Sequence, residues 1–286
     1  MLAMRRNYLL TLLSAIALCN DAVAQKPLYT APLGVQTYSF RRSIGKDPAK
    51  VLDTIKMMGI TEIENGPIGG AFLQEFKNLC DERGIKIPSI GISYDQLINK
   101  TDSVVYNAKV LGAKYVMCAW IPHTTGSFNL ENAKKAVADF NKAGKILKEN
   151  GLTFCYHPHG YEFWPYEDGT LLDYIIKNTN PEYVSFEMDI MWIYFGGGDP
   201  AALLKKYGDR WKLMHIKDMK KGTKRDLTGL TSTENDVAAG TGELNIPAIM
   251  KEAKKIGIKH YFIEDESSNI ISQIPQTITY LKSLVE

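Results

Sequence analysis

The feature that most constrains this chain is an alternation. From residue 34 onward, short apolar runs rich in β-branched and aromatic residues alternate eight times with longer segments of helical periodicity. This is the pattern of βα units whose strands lie parallel in one sheet. The strand candidates are residues 34–39, 62–64, 86–93, 115–120, 153–157, 184–189, 211–216 and 261–264; the helical segments are 48–58, 71–83, 102–111, 130–150, 170–177, 200–207, 246–256 and 270–285. Asp47-Pro48 and Asp199-Pro200 mark two helix starts, each a capping carboxylate followed by proline at the first helical position. Eight such units in a chain of 286 residues predict a single α/β domain, a (β/α)8 TIM barrel, with a doubly wound open sheet as the other solution. Residues 217–244, rich in Lys, Thr and Gly, read as one long loop after the seventh strand.

The segment before the first strand does not share this pattern. Arg5 and Arg6 precede an apolar run at 8–18, and Ala22-Val23-Ala24 fits the small-x-small cleavage pattern ahead of Gln25. Residues 1–24 are therefore expected to be an export signal and residues 25–286 the barrel, in an exported, periplasmic protein with no stable membrane insertion. Bulky Leu18 before Cys19 argues against lipidation. The remaining cysteines, Cys80, Cys118 and Cys155, lie singly in apolar stretches and read as buried packing. Thirty-four basic against 32 acidic residues, with no basic block, exclude a polyanion-binding surface, so no nucleic-acid partner is expected. A homo-oligomer is compatible with the sequence.

In such a barrel the C-terminal strand ends surround one mouth, and here they are unusually polar. The first strand brings Gln36 and Tyr38, the second Glu64, and the fifth runs into His157, His159 and Glu162. The sixth carries Glu187 and Asp189, the seventh ends in His215, Lys217 and Asp218, and the eighth in Glu264, Asp265 and Glu266. Residues two apart on a strand share a face, which pairs Glu187 with Asp189, His157 with His159, and His215 with Lys217. Carboxylates gathered this closely repel one another unless a cation lies between them. Mixed imidazole and carboxylate donors suit one divalent ion, Mn, Zn, Co, Mg or Fe. Gln36, Tyr38, Glu64, Trp120 and Trp192 are the candidates for holding a small carbohydrate substrate.

Five motifs taken in order resemble the xylose-isomerase-like TIM-barrel family of sugar isomerases and epimerases, specifically its YHxHxxEF branch. They are GVQTYSF at 34–40, YHPHGYEF at 156–163, MDIMWIYFGGGDP at 188–200, HIKDM at 215–219 and IEDE at 263–266. The resemblance implies a divalent metal held by one side chain from each of strands five to eight. By position these are Asp189, His215 and Glu264, with Glu162 favoured over His157 as the fourth because this branch carries a nearby glutamate where many members have one at position 157.

Such an ion, holding a carbonyl oxygen and the adjacent hydroxyl, would favour loss of the intervening C–H proton to an enediolate, the first step shared by isomerisation, epimerisation and β-elimination. His159 and Glu264 are the candidate bases, with Lys217 or His157 to stabilise the oxyanion or deliver a proton. An exported enzyme would meet unphosphorylated sugars, and Gly196-Gly197-Gly198 lacks the ending of a phosphate-binding loop. The expected substrate is thus a keto-sugar or keto-glycoside, with a lean to β-elimination from a 3-keto-glycoside. The alternatives are an isomerase or epimerase using the same intermediate and, in another class, a non-catalytic exported sugar-binding protein. A metal-cluster nuclease is disfavoured by the near-neutral charge.

Overall fold

The computed structural model describes residues 26–65 and 72–286. The expected export segment, and position 71 at the expected start of the second helix, lie outside the described residues. The eight strands β1 (Leu33–Gln36), β2 (Glu62–Asn65), β3 (Lys86–Ile92), β4 (Tyr115–Cys118), β5 (Thr153–Tyr156), β6 (Val184–Asp189), β7 (Trp211–Ile216) and β8 (His260–Ile263) pair in sequence, all parallel. β8 returns to β1 and closes the barrel. Closure leaves no unpaired strand edge, so the barrel alternative holds and the open sheet does not.

Ten helices surround it among the described residues: α1 (Pro48–Met57), α2 (Phe72–Glu82), α3 (Tyr94–Asn99), α4 (Thr101–Leu111), α5 (Leu130–Glu149), α6 (Leu171–Asn178), α7 (Ile190–Phe195), α8 (Pro200–Tyr207), α9 (Ile246–Ile256) and α10 (Ile270–Ser283). Asp47 and Asp199 cap α1 and α8 as expected, accepting the amides of Lys50 and Ala202. None of these helices is long and apolar enough to cross a membrane.

The packed layer between strands and helices carries most of the core, with Phe76, Phe140, Phe154 and Phe186 fully buried there. Inside the barrel the side chains form storeys. Cys155, Leu213 and Phe262 make a separate apolar plug, with Tyr115 packed against it. Two residues further along β5, β6 and β7 the inward positions turn polar, and His157, Asp189 and His215 stand there beside buried Gln36, Glu64, Ser89 and Glu187. The apolar plug therefore closes the barrel below a polar chamber that opens at the C-terminal strand ends.

Two connections shape that chamber. After β5, residues 157–163 fold back so that Gly160, at φ +92°, sits where a Cβ would lie 2.7 Å from the Trp192 carbonyl at the start of α7's last turn; only glycine allows this contact. After β7 the expected long loop begins with a short hairpin, Asp218–Met219 against Asp236–Val237, and runs across the mouth. Buried Asp218 anchors its return by accepting the amides of Met219, Gly240, Gly242 and Leu244 at 2.8–3.2 Å.

Candidate metal centre

Asp189 ends β6 and starts α7, and its two carboxylate oxygens have separate tasks. Oδ1 caps the helix, accepting the amides of Met191 and Trp192 at 2.8 Å each. Oδ2 is buried with no hydrogen-bond partner, 3.8 Å from His157 Nε2 and 3.7 Å from His215 Nδ1, and both of those nitrogens are also buried and unpartnered. Glu264, just past β8, brings its Oε2 to 3.5 Å from the same His215 nitrogen. Three donors, His157, Asp189 and His215, thus face one another, with Glu264 beside His215.

Buried polar atoms are rarely left without partners, and three in one place point to an absent common partner. Separations of 3.5–3.8 Å are those of groups around a single ion at bond lengths of about 2.0–2.2 Å. The electrostatics agree. Burial alone would lower His215, but Glu187 and Glu264 raise its proton affinity well above the usual imidazole range. A field that draws a proton there would also hold a divalent cation. Burial holds His157 well below that range, which leaves a neutral imidazole of the kind that ligates metals. The residues fit a divalent ion.

Glu162, the favoured donor in the sequence reading, stands outside this set. Its carboxylate accepts from Tyr156 Oη, and both its oxygens lie 3.1 Å from the His159 amide. It folds back on its own connection and stabilises the turn that presents His157 and His159. Of the two fifth-strand candidates, His157 is the one grouped with Asp189 and His215 closely enough to share an ion.

Beneath the donors lies a floor of acids. Glu64 accepts from Gln36 Nε2 at 2.6 Å, from Ser89 Oγ, and lies 2.8 Å from His215 Nε2. Gln36 and Glu64 are thus buried and hydrogen-bonded to each other beside His215. Tyr38 lies at the rim, half exposed, with the Arg41 guanidinium 4.7 Å over its ring. On the far side of Glu264, fully buried Lys217 places Nζ 3.2 Å from Glu264 Oε2, 2.5 Å from Glu266 Oε1 and 3.4 Å from Asp236 Oδ2. Burial opposes its charge, but these carboxylates more than offset that and keep Lys217 an ammonium. Lys217 and His215 together hold Glu264 well below the ordinary carboxylate range despite its burial.

His159 occupies the upper wall. Its ring stacks on Trp192 at 4.9 Å, meets Trp120 edge-on at 5.6 Å, and keeps Nδ1 without a partner. Burial lowers its proton affinity to about 4, so it stands as a free base at neutral pH. Trp120 and Trp192 flank this imidazole; Trp120 also stacks on His123 at 5.0 Å, and the Lys217 ammonium lies 5.4 Å from the Trp192 ring centre. The long loop closes over this wall through Gly229, where an added Cβ would lie 2.7 Å from the Tyr161 ring and 3.1 Å from the His159 carbonyl. Alternation in the sequence pairs Glu187 with Asp189 on one strand face without choosing between metal and substrate for either, and places Glu266 only among the strand-end acids; Asp236 is not singled out there. Asp236 lies in a loop, where no periodicity marks its direction.

The chain matches the family described as xylose isomerase-like TIM barrel over residues 52–284. Inosose dehydratase of Salmonella typhimurium is 26% identical over 219 residues, which cover 66% of this chain and 70% of that protein. Inosose dehydratase of Clostridium tetani is 33% identical over 94 residues, 32% of this chain and 30% of its own length. The chain thus spans less than a third of one of these relatives and about 70% of the other. Among solved structures, a sugar phosphate isomerase/epimerase of Parabacteroides distasonis superposes with a TM-score of 0.74 at 25% identity, covering 90% of this chain and all of that one. The same fold, at 16% identity, occurs in the IOLI protein with a bound zinc atom (TM-score 0.69, 87% of this chain, 96% of that one) and in a Mycobacterium smegmatis barrel in complex with magnesium (TM-score 0.68, 90% and 97%).

Proposed function

The chain belongs to the xylose isomerase-like TIM barrel family, and from that premise we propose that it is a metal-dependent enzyme that removes the proton α to the carbonyl of an unphosphorylated keto-sugar or keto-glycoside. The observation that carries this is the set of unpartnered donors, His157 Nε2, Asp189 Oδ2 and His215 Nδ1, gathered with Glu264 at the mouth of the barrel. A divalent ion held there supplies Lewis acidity, lowering the energy of an enediolate formed from a carbonyl and its neighbouring hydroxyl. Zinc and magnesium in two relatives of this fold support a divalent ion, and its identity stays open among Mn, Zn, Co, Mg and Fe.

His159 is the base in this proposal. Its unpartnered Nδ1 sits beside the donors on the imidazole next to His157, the ring centroids 4.8 Å apart, and the flanking tryptophans fix its plane. Glu264, the other candidate, is committed to Lys217 and His215. Lys217, held as an ammonium, contributes positive potential toward an oxygen that gains charge. The substrate C–H proton passes to His159, and the electron pair moves to the carbonyl oxygen.

The fate of that proton divides two readings. In elimination from a 3-keto-glycoside, the C1–O bond breaks and the leaving oxygen takes the proton from His159. In isomerisation or epimerisation the proton returns to carbon. Similarity to inosose dehydratases, whose name describes an elimination, supports the first; similarity to a sugar phosphate isomerase/epimerase supports the second. The export signal we read at 1–24 would favour unphosphorylated glycosides as the supply. Metal-reconstituted protein incubated in D2O with 3-keto-glycosides and with free ketoses, followed by mass spectrometry and NMR, tests the proposal. Release of an aglycone together with an unsaturated ketone that has lost its α C–H is the expected result. Deuterium incorporation with epimerised sugar selects the second reading, and sugar binding that ignores metal and exchanges no proton overturns both in favour of a binding protein.

A further inference from the structure

The two imidazoles facing Asp189 present different atoms, Nε2 from His157 and Nδ1 from His215. Their opposite nitrogens turn back toward the same carboxylate oxygen. Glu187 Oε2 lies 3.2 Å from His157 Nδ1, its hydrogen-bond partner, and 3.3 Å from His215 Nε2, whose hydrogen bond goes to Glu64 Oε2 at 2.8 Å. A neutral imidazole has one N–H, and the nitrogen that donates it leaves the other with a lone pair. An acceptor behind each ring therefore sets which nitrogen faces forward as a metal donor.

Glu187 has no other evident task. It is fully buried, its Oε1 has no partner, and among the described residues its polar contacts are these two rings. Glu64 differs, since Gln36 and Ser89 also hold it. The strand explains the placement. Glu187 and Asp189 point inward from β6 two residues, or about 6.6 Å, apart, so the first lies one storey beneath the second.

We infer that Glu187 is a positioning residue that fixes the tautomer and orientation of His157 by accepting from its Nδ1, while it backs the rear nitrogen of His215 together with Glu64, which takes that nitrogen's hydrogen bond. This rests on the reading of His157, Asp189, His215 and Glu264 as donors to one ion. His157 brings to the site a ring with a choice of tautomer, and Glu187 removes that choice.

The test is metal binding to the full chain, stripped of metal and titrated with Co2+ while the visible absorption is recorded, with Zn2+ affinity measured against a chromophoric chelator. The wild type should take up one ion. Glu187→Gln should bind about 10–100-fold more weakly and, once saturated, show a changed Co2+ spectrum, while circular dichroism and the apo melting transition remain those of a folded barrel. Glu187→Asp, whose shorter side chain reaches one ring only, should fall between them and serves if the glutamine variant does not fold. Wild-type affinity and spectrum in a folded variant overturn the inference. So does uptake of two ions by the wild type with one lost in Glu187→Gln, which would make Glu187, with Glu64 and His215, a ligand of a second ion. A wild type that binds no ion at all refutes the metal reading itself and is recognised before any variant is made.

Discussion

The two ends of the barrel use the same residue types to different ends. At the N-terminal end, Glu62 and His260 open β2 and β8 and pair directly, Oε2 to Nδ1 at 2.8 Å, with Tyr115 edge-on to the imidazole at 5.6 Å. Nothing in that pair is left buried and unpartnered. At the C-terminal end His157, Asp189 and His215 each keep a bare atom, all facing one another. A cavity of about 480 Å³ lies at the N-terminal end, lined by Tyr29, Met250, Lys254 and Tyr261 among others, and no side chain lining it has an unpartnered buried polar atom. Neither cavity size nor the presence of histidine and glutamate marks the functional end. The mark is a failure to pair internally, because a buried polar atom that folding leaves unsatisfied costs free energy unless something else binds it.

The sharpest way to break this comparison is to remove the bare atoms. Asp189→Asn retains an oxygen to cap α7 but loses the anionic donor, and His215→Ala removes a donor outright; each should abolish stoichiometric metal uptake, measured by elemental analysis after reconstitution. Asp189→Ala should lose the metal and, in addition, about 1 kcal/mol for the missing cap. A His260→Ala control should bind the ion as the wild type does. Full occupancy in both mouth variants would show that the bare atoms are not a metal site.

A smaller effect separates base from ligand within the mouth. His159→Gln should retain the ion and lose substrate C–H exchange with D2O by about 10²–10⁴-fold. Exchange at the wild-type rate would transfer the role of base to Glu264, and loss of the metal together with exchange would make His159 a ligand. Smaller again is the effect of Gly229→Val at the loop that closes over His159. With φ at +69° and the Tyr161 ring 2.7 Å from the added Cβ, the substitution should cost about 1–3 kcal/mol of local stability. Amides of residues 221–235 should then exchange faster while those of β6 and β7 do not. Unchanged loop exchange would mean that the contact over the mouth is not held by this glycine.

The same contrast explains how much of the molecule is legible in its sequence. β6 and β7 match their expected limits to the residue because apolar runs there stop at charged or polar strand ends. The first strand is shorter than expected. Gln36 turns its side chain to accept the Tyr38 amide and starts a 3-10 turn over Thr37–Phe40, while the β-branched and aromatic residues there still read as strand. α3 is absent from the expected helices although its capping box, Ser93 with Gln96, is present in the sequence; α7 is absent from them because it is buried nearly all round and has no polar face to create a helical period. Alternation pairs Glu187 with Asp189 and His215 with Lys217 but does not choose within a pair; Asp189, His215 and Glu264 as candidate donors come from the family resemblance. That resemblance favours Glu162 over His157, and only the folded connection shows Glu162 spending its carboxylate on Tyr156 and the His159 amide.

The smallest effect belongs to the N-terminal end, where pairing should confer stability without function. The His260 side chain is 21% exposed and that of Glu62 7%, so water reaches one partner and competes for the bond. A double-mutant cycle with Glu62→Gln and His260→Gln should give a coupling of about 0.2–1 kcal/mol, the range of exposed ion pairs. Each single variant should keep full metal uptake and wild-type exchange of the substrate proton, because the apolar plug of Cys155, Leu213 and Phe262 lies between this pair and the chamber. If either variant weakens metal binding tenfold, the plug does not insulate the two ends, and the polar groups along the barrel axis must be treated as one coupled column.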